Sequence, residues 1–236
     1  MLAGQEYSGQ AAAHSIRVAG VTLAADPSGA LWHEDARALV VADLHFEKGS
    51  AYAARGQFLP PYDTAATLAR LAVLIMRYAP RLVIALGDSF HDARAGERMA
   101  SSDGEALRML MQGREWIWIA GNHDPSIPKG LGELQPEFSM GALTFRHEPF
   151  LGATQGEIAG HLHPAARVSA PSGRLRRRCF VSDGTRCVLP AFGAFTGGLN
   201  IRDKAFAPLF GARPFVAHVL GRTRVFAVSA DSCVGD

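Results

Sequence analysis

Leu82-Val83-Ile84-Ala85-Leu86-Gly87-Asp88 is the stretch on which the fold turns. Five consecutive apolar residues ending on a glycine and a carboxylate have no polar face to turn toward water, so they predict a strand covered on both sides, as in a parallel sheet. N-terminal to it, Leu68, Leu71, Ala72, Ile75 and Ala79 recur at helical spacing behind Pro60-Pro61, with Asp63 placed to cap, and predict an amphipathic helix over Tyr62 to Tyr78. C-terminal to it, a helix is predicted from about Ser102 to Gln112, with Ser102 and Glu105 at capping-box spacing, and then another apolar strand, Trp116 to Ala120. With Ala38 to Ala42 as the strand before the first helix, this region reads β-α-β-α-β, which implies parallel strands joined by helices.

The flanks are β-structure. Ile16 to Leu23 and Ala30 to His33 are short apolar stretches separated by Asp26-Pro27-Ser28-Gly29 and Glu34-Asp35 turn signals. From Glu137 onward short strands and turns, with a hairpin at Asp183-Gly184, predict a second sheet of mostly antiparallel character. No stretch reads as a linker, so residues 1–236 are expected to form one domain. With 48% hydrophobic residues and 19% charged ones well mixed, the chain can bury a substantial core.

The longest apolar runs are of strand length, which predicts no membrane span. The opening MLAGQEYSGQAAAHS lacks a basic start followed by an apolar stretch, so it does not read as a secretory signal; a cytoplasmic protein with a frayed N-terminus is expected. Cys179, Cys187 and Cys233 are too few and too far apart for a disulfide framework or a thiolate metal site, and are expected to be reduced and structural. A formal charge of +2 does not by itself imply a nucleic-acid partner.

The chemistry lies at the strand ends. Asp43-Leu44-His45, Gly87-Asp88 and Gly121-Asn122-His123-Asp124 each follow a predicted strand, at the carboxyl edge where open α/β sheets place their sites. His147 then closes Leu143 to Arg146, and Gly160-His161-Leu162-His163 closes Glu157 to Ala159. Any one block alone is ordinary surface polarity or a capping contact. Carboxylate, amide and imidazole donors without thiolates suit manganese, iron or zinc.

In this order the five blocks resemble the calcineurin-like metallophosphoesterase superfamily. The resemblance implies an α/β fold of two packed mixed β-sheets flanked by helices, and two divalent ions, manganese first with iron and zinc as alternatives. Carried over residue by residue, it assigns Asp43, His45, Asp88 and His163 to one ion and Asp88, Asn122, His147 and His161 to the other, with Asp88 as the bridge. The nucleophile is then a metal-bridging hydroxide rather than a side chain. Two ions, two carboxylates and one hydroxide leave one net positive charge, which suits a phosphate ester. By the same resemblance His123 acts as general acid or touches the scissile phosphate, with Asp124 orienting its ring. His91 and Asp92, just beyond the bridge, either support the ligands or sit in an ordinary loop.

Three further stretches, Ala42-Asp43-Leu44-His45-Phe46-Glu47-Lys48-Gly49, Gly160-His161-Leu162-His163-Pro164 and Leu189-Pro190-Ala191-Phe192-Gly193-Ala194-Phe195-Thr196-Gly197-Gly198, are most similar to the bacterial DNA ligase-associated metallophosphoesterases, the PdeM group. That implies a phosphodiesterase or nuclease acting on DNA in repair, in association with an ATP-dependent DNA ligase and a helicase. The Gly-rich stretch is read as a structural turn near the site, ahead of direct substrate contact.

Four arginines occupy five positions in Arg174-Leu175-Arg176-Arg177-Arg178. In an extended chain Arg174, Arg176 and Arg178 point to one side, where they either track a phosphate backbone or guard an edge strand. Two alternatives stand beside the nuclease: the same chemistry on a small nucleotide or nucleotide-sugar-lipid pyrophosphate, and a non-catalytic binding module on this fold. The short segment Pro125 to Gly141 leaves little room for the helical insertion a lipid substrate requires, and the intact ligand blocks speak against the binding module.

Overall fold

In the computed structural model, which describes residues 14–57, 60, 62–124, 126–170 and 173–236, the chain forms two mixed β-sheets with helices on their outer faces. The expected fraying of the N-terminus falls outside the described residues. The first sheet runs in chain order through β1 (His14–Val18), β2 (Val21–Ala25), β3 (Leu31–His33), β4 (Ala38–Val41), β5 (Leu82–Leu86), β6 (Glu115–Ile119) and β7 (Leu134–Gln135). Strands β1 to β4 pair antiparallel and β4 to β7 parallel. The apolar stretch Ile16 to Leu23 is therefore two strands: the chain reverses at Ala19 and Gly20, both at positive φ, and pairs Val18 with Val21.

Helices α1 (Lys48–Ala53) and α2 (Asp63–Tyr78) lie between β4 and β5, and α3 (Ala95–Arg98) and α4 (Ser101–Met111) between β5 and β6. Neither predicted side-chain cap forms. Asp63 is the first residue of α2 and accepts instead from the Gly49 N–H at 3.0 Å, tying α2 to α1. Ala100 precedes α4 without a side-chain cap, so Ser102 falls inside the first turn.

The second sheet comprises β8 (Glu137–Met140), β9 (Leu143–Arg146), β10 (Glu157–Ala159), β11 (Pro164–Ala170), β12 (Gly173–Ser182), β13 (Arg186–Val188), β14 (Leu199–Asn200), β15 (Val216–Leu220) and β16 (Val225–Ser229). Its order is β14-β11-β12-β13-β10-β9-β8, with β15 on β12 and β16 on β15. It is more mixed than the sequence pattern suggests, because β10 pairs parallel to both β9 and β13, and β11 parallel to β14. The Asp183-Gly184 hairpin joins β12 and β13.

Strand β5 shows how the layers are held. Leu82, Ile84 and Leu86 face the second sheet, where they meet Phe145, Ile158, Phe180 and Leu189. Val83 and Ala85 face Leu68, Leu71 and Leu74 of α2 and Leu107 of α4. Period-two alternation thus buries both faces, and each Leu, Ile or Val side chain contributes about 1.5–3 kcal/mol of burial. A third cluster, with Cys179 and Val181 against Phe206, Leu209 and Phe210, covers part of the outer face of the second sheet beneath α5 (Ala207–Phe210). The three cysteines are free and buried. No helix among the described residues is long and apolar enough to cross a membrane.

Candidate metal centre

The loops after β4 and β5 continue the parallel pairing beyond the strands. Asp43 N–H donates to Gly87 O at 3.3 Å, His45 N–H to Asp88 O at 2.9 Å and Phe46 N–H to Ser89 O at 2.9 Å. Buried Phe46 and Phe90 lock this extension. Five expected ligands sit at left-handed backbone angles: φ is 54° at Asp43, 46° at His45, 46° at Asp88, 69° at His161 and 47° at His163. Each such conformation costs of order 1–3 kcal/mol for a residue with a side chain and persists because the surrounding hydrogen bonds over-determine it. Gly87, at φ 68°, has no room for a side chain, since a Cβ there would lie 2.5 Å from the His147 ring.

Asp43, His45 and His163 offer ligand atoms within 4.8 Å of one another, and Asp88, His147 and His161 do the same. His163 Nε2 lies 3.2 Å from Asp43 Oδ1 and 3.4 Å from His45 Nε2. His147 Nε2 lies 2.7 Å from Asn122 Oδ1, 3.2 Å from His161 Nδ1 and 3.4 Å from Asp88 Oδ2. Its Nδ1–H donates to the Leu86 carbonyl at 2.9 Å, which leaves the Nε2 lone pair among three other acceptors. Such crowding calls for a cation or a proton at the centre.

Burial favours the neutral forms of Asp88 and His147, but their mutual hydrogen bond outweighs it, so the Asp88 carboxyl is held below its usual range and His147 is pushed up to about 9. On the other side burial, reinforced by His163, pushes His45 down to about 3, and its Nδ1 is buried without a partner among the described residues. Neutral imidazoles, carboxylates and an amide oxygen aimed at two points are the donor set of a divalent dinuclear site, and these residues fit it.

His123 stands at the mouth, with its side chain 48% exposed and Nε2 4.0 Å from Asp88 Oδ2. Its Nδ1–H donates to the His91 carbonyl at 3.0 Å, and its ring stacks on the His91 ring at 5.4 Å between centroids. Asp124 does not orient this ring. Its buried carboxylate accepts the N–H groups of Asp88, Ser89, Phe90 and Gly121, because consecutive residues of this tight turn point apart. Asp124 therefore ties the β5 and β6 loops together, and the His91 carbonyl directs His123.

His91 also lies edge-on to His45 at 5.7 Å, against the centre, whereas Asp92 accepts from Arg98 at 2.8 and 2.9 Å and from the Arg94 N–H at 2.9 Å. The arginine stripe is broken: Arg174 and Arg176 are exposed, but Arg178 is turned inward, donating to the carbonyls of Ala191 and Ser28. The carbonyls of Leu86 and His91, which set the two imidazoles, carry no side-chain signal by which a sequence could reveal them. A cleft of about 390 Å³ opens beside Asn122 and His147 toward Glu137 and Arg146. A larger apolar hollow of about 460 Å³, between Leu175, Val219 and Phe226 on the outer face of the second sheet, touches none of the ligands.

The profile of the calcineurin-like phosphoesterases matches residues 36–178, more than half of the chain. The chain belongs to the calcineurin-like phosphoesterase family. A solved relative, Pseudomonas putida nuclease MPE, is 30% identical, with a TM-score of 0.69 over 91% of this chain and 100% of that one. YfcE, a phosphoesterase from E. coli, is 14% identical, with a TM-score of 0.42 over 82% of this chain and 98% of that one. No curated protein sequence matches the chain. Family membership and the nuclease relative make this calcineurin-like phosphoesterase a metal-dependent phosphoester hydrolase, and its two ligand clusters fit a dinuclear site.

Proposed function

We propose that this enzyme is a phosphodiesterase that cleaves nucleic acid. Asp43, His45, Asp88 and His163 would hold one divalent ion and Asp88, Asn122, His147 and His161 the other, with Asp88 between them. The observation that carries the reading is the juxtaposition of the two ligand clusters, with His163 and His147 both beside Asp43 and the half-exposed His123 beside Asp88. The likeness to a nuclease over the whole of that protein's length supports a polymeric diester. Among the described residues no helix lies between Asp124 and Leu143, so nothing there offers a lipid chain a slot. The resemblance to the DNA ligase-associated group extends the proposal to DNA in repair, beside an ATP-dependent ligase and a helicase in the cytoplasm, with manganese as the metal.

Two divalent ions held there would lower the pKa of the attacking water and neutralise the phosphate oxygens. As the water oxygen bonds to phosphorus and releases its proton to solvent, the bond from phosphorus to the leaving oxygen breaks. His123 Nε2 delivers the proton that oxygen needs, a general-acid step, and the half-exposed ring takes up another from solvent. The His91 carbonyl, by holding Nδ1–H, keeps Nε2 on the side of Asp88.

Purified protein with manganese should hydrolyse bis-p-nitrophenyl phosphate faster than p-nitrophenyl phosphate, and should cut labelled single- or double-stranded DNA. Turnover of the monoester alone, with DNA left intact, would overturn the reading.

A further inference from the structure

The loop between β13 and β14 is hung at both ends on the backbone of metal-cluster residues. Gly193 N–H donates to Asp43 O at 3.1 Å, and Leu199 N–H donates to His163 O at 3.0 Å. The approach at the first end is so close that a Cβ on Gly193 would lie 2.2 Å from the Leu44 carbonyl oxygen. Inside the loop, Ala194 N–H donates to Thr67 Oγ1 at 2.9 Å, which fixes the chain immediately before Phe195. Phe195 is held at φ 55°, and the residue is 53% exposed.

A bulky aromatic at positive φ is an outlier, and nothing in the packing repays it, because the ring is in none of the three core clusters. Two cations grip the same loop by its carbonyls: Lys48 Nζ reaches Phe195 O at 3.3 Å, and Arg176 donates to Gly198 O. An exposed aromatic side chain, on a loop held by a lysine and an arginine and hung on the backbone of Asp43 and His163, suits a ligand that combines flat rings with anions.

We propose that Phe195 is a stacking platform for a nucleobase next to the scissile phosphate, in a substrate whose backbone passes Lys48 and Arg176. This rests on the nuclease reading above. Stacking needs an unpaired base, and it tolerates any sequence because every base has a π-face. The loop therefore grips a base without reading its identity.

The test compares kcat/KM of the manganese-loaded enzyme on a labelled single-stranded oligonucleotide and on an all-abasic strand of equal length. The wild type should prefer the base-bearing strand, and Phe195→Ala should lose that preference through a drop of about 5- to 100-fold on the base-bearing strand. Phe195→Trp should keep the preference, and Phe195→Leu, which retains apolar bulk without a flat face, should lose it. A preference that survives in both the Ala and the Leu variants, in a protein that still cuts DNA, overturns the platform and leaves the nuclease reading standing. A wild type that cuts neither strand sinks both.

Discussion

The inward turn of Arg178 separates two roles that the sequence presents as one. If Arg174 and Arg176 alone meet a polyanion, the Arg174→Gln, Arg176→Gln double variant should make the slope of log affinity against log salt shallower by about 0.7 per residue, roughly 1.4, on single-stranded DNA, or about 1.8 on duplex. Arg178→Gln should leave the slope unchanged and act on stability instead. Its guanidinium satisfies the Ala191 carbonyl, while the Ser28 carbonyl keeps a second donor in Arg70 at 3.0 Å, so one acceptor is orphaned rather than two. Losing that bond costs about 1–2 kcal/mol, softened by relief of the repulsion between Arg178 and Arg70. The melting temperature should then fall by roughly 2–8 °C. Fluorescence anisotropy across a salt series, in a His123→Ala background so that turnover does not deplete the DNA, gives the slopes, and calorimetry gives the stability. A slope change for Arg178→Gln equal to that of one exposed arginine, without thermal loss, would refute the assignment.

His123→Ala should retain its metal content while turnover falls by about a hundred- to ten-thousandfold, less for esters with good leaving groups; an equal loss on p-nitrophenyl esters and on DNA would point to phosphate positioning instead. Asp88→Asn should abolish activity and deplete both metal positions together, and elemental analysis showing two ions per chain with near-normal turnover would remove Asp88 from the bridge. Stability should fall as pH drops through the window from 6.5 to about 4, because burial and His14 depress His218 to about 4 and the unfolded chain therefore binds more protons there. The contribution is fully present above pH 6.5, about 2 kcal/mol of it is gone by pH 5, and denaturant titrations of His218→Gln should show a flatter profile if the reasoning holds.

Periodicity and order of residues determined much of this protein without any tertiary information. The run Leu82–Leu86 is a strand because it has no polar face, and α2 follows from the spacing of its leucines. These are local signals, and local chain statistics carry them; the candidate donors Asp43, His45, Asp88, Asn122, His147, His161 and His163 were legible only through the order of five blocks along the chain and the family resemblance that order carries. Helices α1 and α3 are too short for periodicity to register, and the reversal between β1 and β2 lacks a strong turn pair.

The tertiary structure alone decided which partners meet. Residues 118 apart bring His163 to His45, the carbonyl of His91 directs a histidine 32 residues on, and Asp124 serves the backbone of a loop 34 to 36 residues earlier rather than its neighbour in the chain. Strand alternation alone would set Arg174, Arg176 and Arg178 to one side as a single stripe, yet Arg178 is captured by carbonyls 13 and 150 residues away. Backbone acceptors look alike in every sequence, so only the fold can say which side chain each one holds.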